Sequence, residues 1–500
     1  RDRLRSRGLG DVYKRQISNF RNFRDASVPF HEGVNVIIGH NNTGKSNLLR
    51  AIGLVLGYSD GRRLGTCDLF YETDVVTLQQ QSPRIKITLI FHRSQGEALD
   101  SAEMGLFSGM MTDPALSEEA KLRYEFKLAE SLLLAKMQAD SSITYMKRNA
   151  KVISFLAVEE CEAHLHPAMQ YKFLQFLQDN KANGHVRQIF MTSHSTQIAS
   201  AVKLDDLICL TSPVLGQINV GYPRVIYKED NDDDVVSKQY VQRFIDATKA
   251  DMFFANKLIF VEGVAEELLL PVFARYLNKN LTDEHVLVVN MGGRYFNHFL
   301  KLFDTNNPYT INKKIVCLTD IDPCRKKNEP DEDYEACYPY EYNIDTANYN
   351  YKHHADTEVA QYAAHPNIRF YRQDVTYGKT LEYDIMRENP DCELLLTNSV
   401  SNLKEIKAMM AEQDMNKMMS KMRNSEANTR IKTSIGASKW TDEEKRKALL
   451  ASRYLNSVSK GSNALELNVV LMANLDKPVA DRKEFHVPQY IVNALTWLLS

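Results

Sequence analysis

The sequence predicts an α/β protein made of two domains, each built around a parallel sheet. Two observations lead to this prediction. Near the N-terminus a β-branched run ends in a glycine-rich loop before a helical stretch, and in the C-terminal half alternating strands and helices carry acids at the strand ends. Strands that alternate with helices along a chain form parallel sheets. The length of 500 residues agrees, because one hydrophobic core seldom organises so long a chain.

Composition restricts the class of protein further. Hydrophobic residues make up 44% and charged residues 25% of the chain, as in ordinary globular proteins. No apolar run approaches the roughly 20 residues that cross a bilayer, so no membrane association is expected. The seven cysteines include no CxxC pair, which favours a reducing compartment and predicts a cytoplasmic location. With a net charge of -2, a nucleic-acid partner would need a local basic patch or bridging metal ions.

The first sixteen residues, RDRLRSRGLGDVYKRQ, are predicted to be a non-native leader outside the fold. They alternate arginine with small residues and lack the apolar segment of a signal peptide. The first predicted domain therefore covers residues 17–227. It opens with two short strands over Ile17–Phe30 and a buried strand over Gly33–Ile38.

The buried strand runs into a loop, GHNNTGKS, that has the GxxxxGKS pattern of a phosphate-binding P-loop and precedes the helical stretch Asn47–Gly57. In this context backbone N–H groups and a helix N-terminus surround phosphate oxygens. Lys45 is expected at the β- and γ-phosphates and Ser46 on a magnesium ion. The residues predicted to bind the nucleotide are Gly39, Asn41, Asn42, Gly44, Lys45, Ser46 and Asn47.

Two further strands are predicted to end beside the same nucleotide. Val152–Val158 runs into Glu159 and Glu160, and Gln188–Thr192 is followed by His194. In phosphoryl transfer one acid at such a strand end holds magnesium, and a second polarises the attacking water. We therefore expect Glu159 in the magnesium shell, Glu160 as the residue that activates water, and His194 beside the γ-phosphate.

An acidic run marks the predicted domain boundary. Lys228–Asp234, KEDNDDD, is expected to be a solvated linker. Residues 228–250 would then form a linker and a helix, and residues 251–500 a second domain with a C-terminal helical extension. Within that extension, Asn402–Met422 is predicted to form one amphipathic helix at the surface.

Acidic residues stand at the ends of the predicted strands of the second domain, which cover Lys257–Val261, Val286–Asn290 and Lys314–Leu318. Glu262 follows the first strand and Glu266 lies in the first turn of the next helix. Asp320 and Asp322 follow the third strand and are expected to point to the same side of an extended segment. Because converging carboxylates repel one another unless a cation neutralises them, the sequence predicts bound Mg²⁺ or Mn²⁺.

These strings together resemble the OLD family of nucleases, to which the Gabija nuclease subunit is related. GHNNTGKSNLLRAI, VEECEAHLHP and TSHS resemble its ABC-type ATPase module, which is related to the RecF and SMC ATPases. VEGVAEELLLPVFA, NMGGRYF and LTDID resemble its TOPRIM domain, a Rossmann-like parallel-sheet domain. The resemblance implies an ABC-type P-loop ATPase domain that binds ATP, followed by a TOPRIM domain.

The resemblance also implies an activity and its residues. It implies an ATP-binding endonuclease that cleaves or nicks DNA through two metal ions held by Glu262, Glu266, Asp320 and Asp322. Thr319 would support this site. In GKTLEYD, Glu382 would join the second metal, and in SKGS, Lys460 would stabilise the charge that develops on the phosphate. A homodimer or higher homo-oligomer, a helicase-like or other defence partner, and a role in phage defence or DNA repair are further implications.

One family feature is not found in the sequence. The Ser-Gly signature that completes the composite ATP site is absent from residues 129–151, and the lobe over residues 95–151 is short. The sequence therefore predicts ATP binding with slow or undetectable hydrolysis. Two alternatives to a nuclease stay open, namely a nucleotide-gated DNA clamp without cleavage and an ATPase that regulates a partner.

Overall fold

A computed structural model describes residues 12–31, 33–56, 64, 68–70, 84–92, 119–127, 155–163, 165–183, 186, 188–214, 217–245 and 247–500. The chain divides into two compact units, Arg1–Phe254 with Asn297–Asn312 and Ala255–Phe296 with Lys313–Ser500. Each unit combines a largely or wholly parallel sheet with helices, which confirms the predicted α/β class. Over the described ranges, no helix is both long enough and apolar enough for a membrane span.

The first unit contains two sheets. An antiparallel sheet has the order β2-β1-β4-β5, with β1 (Val12–Phe20), β2 (Phe23–Pro29), β4 (Arg84–His92) and β5 (Glu119–Lys127). The second has the order β6-β7-β3-β8-β9, with β3 (Val34–Gly39), β6 (Phe155–Val158), β7 (Gln188–Ser193), β8 (Leu207–Val214) and β9 (Gln217–Gly221). Its first four strands are parallel and β9 is antiparallel. All of β3 is buried because it lies between two parallel neighbours.

Strand β1 includes residues 12–16, which the sequence analysis leaves outside the fold. They pair with β2 and β4, since the backbone hydrogen bonds of a sheet do not depend on residue type. Arg15 consequently lies fully buried on the inner face of β1, where Nη1 donates to Leu48 O. Among the described residues, Arg15 Nε and Nη2 have no hydrogen-bond partner.

Six helices are described in residues 1–254: α1 (Lys45–Leu56), α2 (Pro167–Ala182), α3 (Thr196–Ala201), α4 (Pro223–Ile226), α5 (Asp232–Phe244) and α6 (Ala247–Ala250). The acidic run predicted to be a linker forms the start of α5 inside the first unit. Asn231 caps this helix by accepting from Asp234 N, and three aspartates occupy the first turn, where the helix dipole favours negative charge.

The second unit is built on a parallel sheet of order β11-β10-β12-β16, with β10 (Lys257–Val261), β11 (Val286–Asn290), β12 (Lys314–Leu318) and β16 (Ile368–Tyr371). The three strands predicted here have the observed bounds. A small antiparallel sheet of order β14-β13-β15 follows β12 in the chain, with β13 (Cys324–Lys327), β14 (Glu335–Ala336) and β15 (Tyr349–Lys352).

Helices complete the fold: α7 (Val264–Tyr276), α8 (Phe296–Leu300), α9 (Asp356–Gln361), α10 (Leu381–Glu388), α11 (Leu403–Met410), α12 (Met415–Lys421), α13 (Glu426–Ala437), α14 (Asp442–Leu455), α15 (Lys460–Leu475) and α16 (Gln489–Leu499). The prediction of one helix over Asn402–Met422 is wrong. The chain leaves α11 after Met410 and starts α12 with Asp414 as N-cap, so the methionines of both helices enter the core.

Candidate nucleotide and metal sites

The predicted P-loop connects the end of β3 to the start of α1. Gly39, Asn42 and Gly44 have φ angles of 150°, 64° and 98°, which glycine and asparagine adopt more readily than other residues. A Cβ atom at Gly39 would lie 2.4 Å from Leu210 O. The glycine therefore allows the loop to turn tightly against β8.

Lys45 lies buried inside this loop. Its Nζ atom donates to Gly39 O at 2.8 Å and to His40 O at 2.7 Å. Burial lowers the pKa of Lys45 from 10.5 to about 8, although the carboxylates of Glu160 and Glu162 act in the opposite direction. The loop carbonyls thus hold the ammonium group where phosphate oxygens would otherwise bind it.

The other predicted loop residues differ in whether their side chains are exposed to solvent or held by hydrogen bonds. Asn41, Asn42 and Ser46 are exposed. Asn47 instead belongs to a hydrogen-bonded group, because its side chain donates to Asn22 Oδ1 at 2.9 Å and accepts from Arg21 Nη1 at 2.8 Å. Sequence reasoning missed Arg21 and Asn22, since their place beside the loop depends on the pairing of β1 with β2.

The predicted catalytic acid and histidine of the first unit lie close together. His194 Nε2 is 3.6 Å from Glu160 Oε1, and Glu160 N donates to Thr192 Oγ1 at 3.0 Å. Glu162, which the sequence analysis did not single out, accepts a hydrogen bond from His194 N. Glu159 is exposed. Residues 128–154 lie outside the described residues, so the missing Ser-Gly signature stays a prediction.

In the second unit, Glu262 occupies the position that directly follows β10. Its Oε1 atom accepts from the Thr319 hydroxyl group and, at 3.2 Å, from Asp320 N. Parallel pairing of β10 with β12 brings these residues together, because the two strands end at the same edge of the sheet. Glu262, at the end of the first predicted strand, is thus joined to residues that follow the third predicted strand.

Asp320 is held from two sides. Its Oδ1 atom accepts from Gln373 Nε2 at 2.7 Å and from Leu381 N at 3.1 Å. Burial raises the pKa of Asp320 well above 3.8, and the neighbouring carboxylates of Glu266, Asp322 and Glu382 raise it further. A nearby positive charge would favour the ionised form of this carboxyl group.

Glu382 and Lys460 complete the cluster. Glu382 is 4% exposed, and its Oε2 atom accepts from Thr380 Oγ1 at 3.1 Å. Within the described part of the chain, Glu382 Oε1 is buried without a hydrogen-bond partner. Lys460 Nζ lies 3.8 Å from Asp320 Oδ2. Burial, followed by the nearby Glu382 carboxylate, raises the pKa of Glu266.

Asp322 does not follow the predicted orientation. Strand β12 ends at Leu318, and Asp322 has a φ angle of 37°, outside the extended region in which side chains alternate. The prediction that Asp320 and Asp322 point to the same side of an extended segment is therefore wrong. Asp322 Oδ2 instead accepts from Arg294 Nη2 at 2.7 Å.

Sequence reasoning missed Arg294 as well as Gln373. The Arg294 Nε atom lies 3.3 Å from both carboxylate oxygens of Glu262. The sequence does contain a feature that could have indicated it: Arg294 directly follows Gly292 and Gly293, in the loop after a predicted strand that neighbours the strands bearing the acids. Nearby carboxylates raise the pKa of Arg294 although burial acts in the opposite direction.

The chemistry of this cluster fits a hard divalent cation. Its donors are carboxylate oxygens, and the orphaned Glu382 Oε1 offers an unused lone pair. The arrangement is not a closed site as it stands, because no three His, Cys, Asp or Glu side chains in the described residues are placed to hold a metal ion.

The two units define a P-loop ATPase joined to a carboxylate-bearing parallel-sheet domain, and comparison with known families agrees. Residues 13–95 and 131–199 match the AAA ATPase domain family. Residues 253–322 match the family described as overcoming lysogenization defect protein-like, TOPRIM domain. The chain thus contains an AAA ATPase domain followed by an OLD-like TOPRIM domain, which confirms the resemblance predicted for both halves.

Individual relatives cover parts of the chain. It is 24% identical over 267 residues to the endonuclease GajA of Bacillus cereus (strain HuB5-5), covering 48% of this chain and 37% of GajA. It is 33% identical over 82 residues to the DNA replication and repair protein RecF of Streptococcus suis (strain 05ZYH33), covering 16% of this chain and 20% of RecF. The solved C-terminal region of the Burkholderia pseudomallei OLD protein shares 20% identity, covers 49% of this chain and 97% of that structure, and has a TM-score of 0.25.

Proposed function

We propose that this protein is an ATP-binding, metal-dependent DNA endonuclease that cleaves or nicks DNA at the carboxylate cluster of its TOPRIM domain. The observation that carries the proposal is that Glu262, Asp320 and Glu382 lie together beside Lys460. Asp320 N donates to Glu262 Oε1 at 3.2 Å, and Lys460 Nζ lies 3.7 Å from Glu382 Oε2 and 3.8 Å from Asp320 Oδ2. Similarity to an endonuclease, over 37% of that relative, supports it.

The metal-binding residues of the proposed site are Glu262, Glu266, Asp320, Asp322 and Glu382. Bound Mg²⁺ or Mn²⁺ would supply an activated water and neutralise the leaving oxygen. The protein's part is to orient the ligands: Thr319 bonds Glu262, while Gln373 bonds Asp320. Lys460, whose side chain is 59% exposed, would place a positive charge at the phosphate as negative charge develops there.

The nucleotide site would act as a regulator of this activity. ATP would take Lys45 away from the Gly39 and His40 carbonyls, with Ser46 and Glu159 on its magnesium ion. Glu160 would orient water and His194 would contact the γ-phosphate. Because the sequence shows no Ser-Gly signature, we expect slow turnover. Rapid phosphate release that disappears in Glu160→Gln would contradict this expectation.

The biological setting proposed for the protein follows its relatives. A cytoplasmic homodimer or higher homo-oligomer would act on DNA in phage defence or DNA repair, alone or with a helicase-like or other defence partner. Size-exclusion chromatography with light scattering, with and without ATP, tests the oligomer. A monomer under both conditions would contradict this part of the proposal.

One observation favours a second candidate, a nucleotide-gated DNA clamp without cleavage. Arg294 already bonds Glu262 and Asp322, so two of the proposed metal ligands are neutralised by the protein itself. Plasmid nicking with Mg²⁺ or Mn²⁺, with and without ATP, separates the candidates. Nicking that is lost in Asp320→Asn supports the nuclease, whereas ATP-dependent DNA binding without nicking supports the clamp. Nicking only after addition of another protein would indicate a regulatory ATPase.

A further inference from the structure

The positively charged side chain of Arg294 lies between two of the acidic side chains. Its guanidinium group contacts Glu262 through Nε, 3.3 Å from both oxygens, and Asp322 through Nη2 at 2.7 Å. The Arg294 side chain is 35% exposed, so solvent reaches it. Glu262 and Asp322 lie 60 residues apart in the chain (322 − 262), yet one side chain bridges them.

The segment that carries Arg294 begins with two glycines in the left-handed region of backbone conformation. Gly292 and Gly293 precede Arg294 with φ angles of 69° and 138°, and a Cβ atom at Gly292 would meet nothing within 4 Å. Asn290 at the end of β11 anchors the segment, because its Oδ1 atom accepts from Gly292 N at 2.9 Å. Because glycine backbone is less restricted than that of other residues, a movement of Arg294 would not require β11 to move.

A divalent cation and Arg294 would compete for the same oxygens. Both neutralise the Glu262 and Asp322 carboxylates, but only one of them can occupy the space between these groups. Lys460 differs, because its Nζ atom stays 3.7 to 3.8 Å from Glu382 and Asp320 and makes no short contact with either. The side chain that a metal ion must move is therefore that of Arg294.

We propose that Arg294 is an internal counter-ion that divalent-metal binding displaces, and that the released guanidinium group then binds a DNA phosphate. A guanidinium group presents paired N–H donors that match phosphate oxygens in a bidentate geometry. The phosphate part rests on the proposed nuclease function, whereas the displacement part concerns only metal and protein. Metal binding would in this way couple occupancy of the site to capture of DNA.

The displacement is tested by Mn²⁺ titration calorimetry of the full chain without DNA. We expect Arg294→Gln to bind Mn²⁺ roughly three- to tenfold more tightly than the wild type, because Mn²⁺ then no longer has to break the one or two ion pairs that Arg294 makes. Lys326→Gln removes the same charge from β13 without a contact to the carboxylates, so its affinity should equal that of the wild type. Equal or weaker binding by Arg294→Gln overturns the displacement.

The same titration separates this inference from the proposed function. Asp320→Asn removes a proposed ligand and should abolish Mn²⁺ binding. A wild type that binds no Mn²⁺ overturns both proposals. If the wild type binds Mn²⁺ and Asp320→Asn does not, but Arg294→Gln shows no gain, then the metal site stands and the role of Arg294 fails. Melting curves without metal check that each variant is folded.

The phosphate contact is tested by DNA binding in Ca²⁺, with a short duplex and fluorescence anisotropy. With Ca²⁺ we expect Arg294→Gln to bind the duplex more weakly than the wild type by about tenfold, with Arg294→Lys between them. In EDTA the wild type and Arg294→Gln should bind alike, because the guanidinium group is held by the carboxylates. Two results would overturn the metal-dependent phosphate contact. One is equal duplex affinity of the wild type and Arg294→Gln in Ca²⁺, and the other is a loss of affinity in Arg294→Gln that is as large in EDTA as in Ca²⁺.

Discussion

Lys460 Nζ lies 3.7 Å from Glu382 Oε2, which places the start of α15 next to the first turn of α10. Glu382 is buried, whereas the Lys460 side chain is 59% exposed. One ammonium group faces several carboxylates here, and Glu382 Oε1 has no hydrogen-bond partner among the described residues. Carboxyl groups outnumber the cationic side chains of Lys460 and Arg294 in this cluster, so we expect the second unit to respond to pH and to cations.

Asp320→Asn should stabilise the second unit in metal-free buffer at pH 7. The pKa of Asp320 is raised in the folded protein by burial and by Glu266, so the unfolded carboxyl group loses its proton at lower pH than the folded one. Stability contributed by the bound proton is complete below the unfolded pKa of 3.8 and is lost as pH rises through the folded pKa. Each unit of that shift corresponds to about 1.4 kcal/mol, and asparagine avoids the loss.

The measurement is the melting temperature of both proteins at pH 4 and pH 7, with EDTA and with Mn²⁺. The gain of Asp320→Asn should be larger at pH 7 than at pH 4. Mn²⁺ should raise the melting temperature of the wild type only, since a ligand stabilises the state that binds it. A lower melting temperature for Asp320→Asn in EDTA at pH 7, or equal plasmid nicking by both proteins, would contradict the assignment.

Lys460→Ala should slow plasmid nicking by about 100-fold while Mn²⁺ binding is retained. The lysine is expected to act on charge that develops during the reaction, and removing one such group typically costs about two orders of magnitude in rate. Lys477→Ala, just beyond the C-terminal end of α15, is the matched control and should nick at the wild-type rate. Loss of Mn²⁺ binding in Lys460→Ala would show that the lysine organises the metal ligands instead.

Lys45→Ala should abolish ATP binding, because the loop loses the ammonium group that contacts Gly39 O and His40 O and would turn to the phosphates. Binding of a fluorescent ATP analogue measures the effect. Lys172→Ala removes an exposed lysine of α2 and serves as control. Equal ATP affinity in Lys45→Ala and wild type would refute the P-loop assignment, and nicking without ATP should survive the change.

ATP affinity should fall above pH 8. Burial lowers the pKa of Lys45 to about 8 in the nucleotide-free protein, and a bound triphosphate would restore the charged form. Binding at higher pH must then include uptake of a proton, so the dissociation constant should be roughly tenfold larger at pH 9 than at pH 7. Calorimetry in two buffers of different ionisation enthalpy measures that uptake. A dissociation constant independent of pH from 7 to 9 would show that Lys45 stays charged in the free loop.

Arg15→Leu should raise the free energy of unfolding of the first unit by about 1–3 kcal/mol. Arg15 is fully buried, burial lowers its pKa well below 12.5, and two of its nitrogen atoms lack partners among the described residues. Leucine fills similar space without that cost. Urea denaturation measures the change, with Lys14→Leu on the other face of β1 expected within about 0.5 kcal/mol of wild type. A lower unfolding midpoint for Arg15→Leu would contradict the prediction.

Local sequence patterns were sufficient to predict those parts of the fold that depend on residues close together in the chain. The strands Lys257–Val261 and Lys314–Leu318 are apolar runs bounded by polar residues, and parallel order follows from the helices between strands. The P-loop is likewise local, because its glycines, lysine and serine all lie in the short segment Gly39–Ser46. The helical extension was less predictable, since Asn402–Met422 has a continuous apolar pattern that does not show where Asp414 caps a new helix.

The sequence by itself determined the α/β class, the P-loop and the acids that end the strands of the second unit. Tertiary structure alone decided that Gln373 meets Asp320 and that Arg294 lies between Glu262 and Asp322. It also decided that Asn297–Asn312, which follows β11 in the chain, belongs to the first unit. The physical reason is that strand and loop patterns depend on neighbours in sequence, whereas contacts between charged groups depend on how distant segments pack.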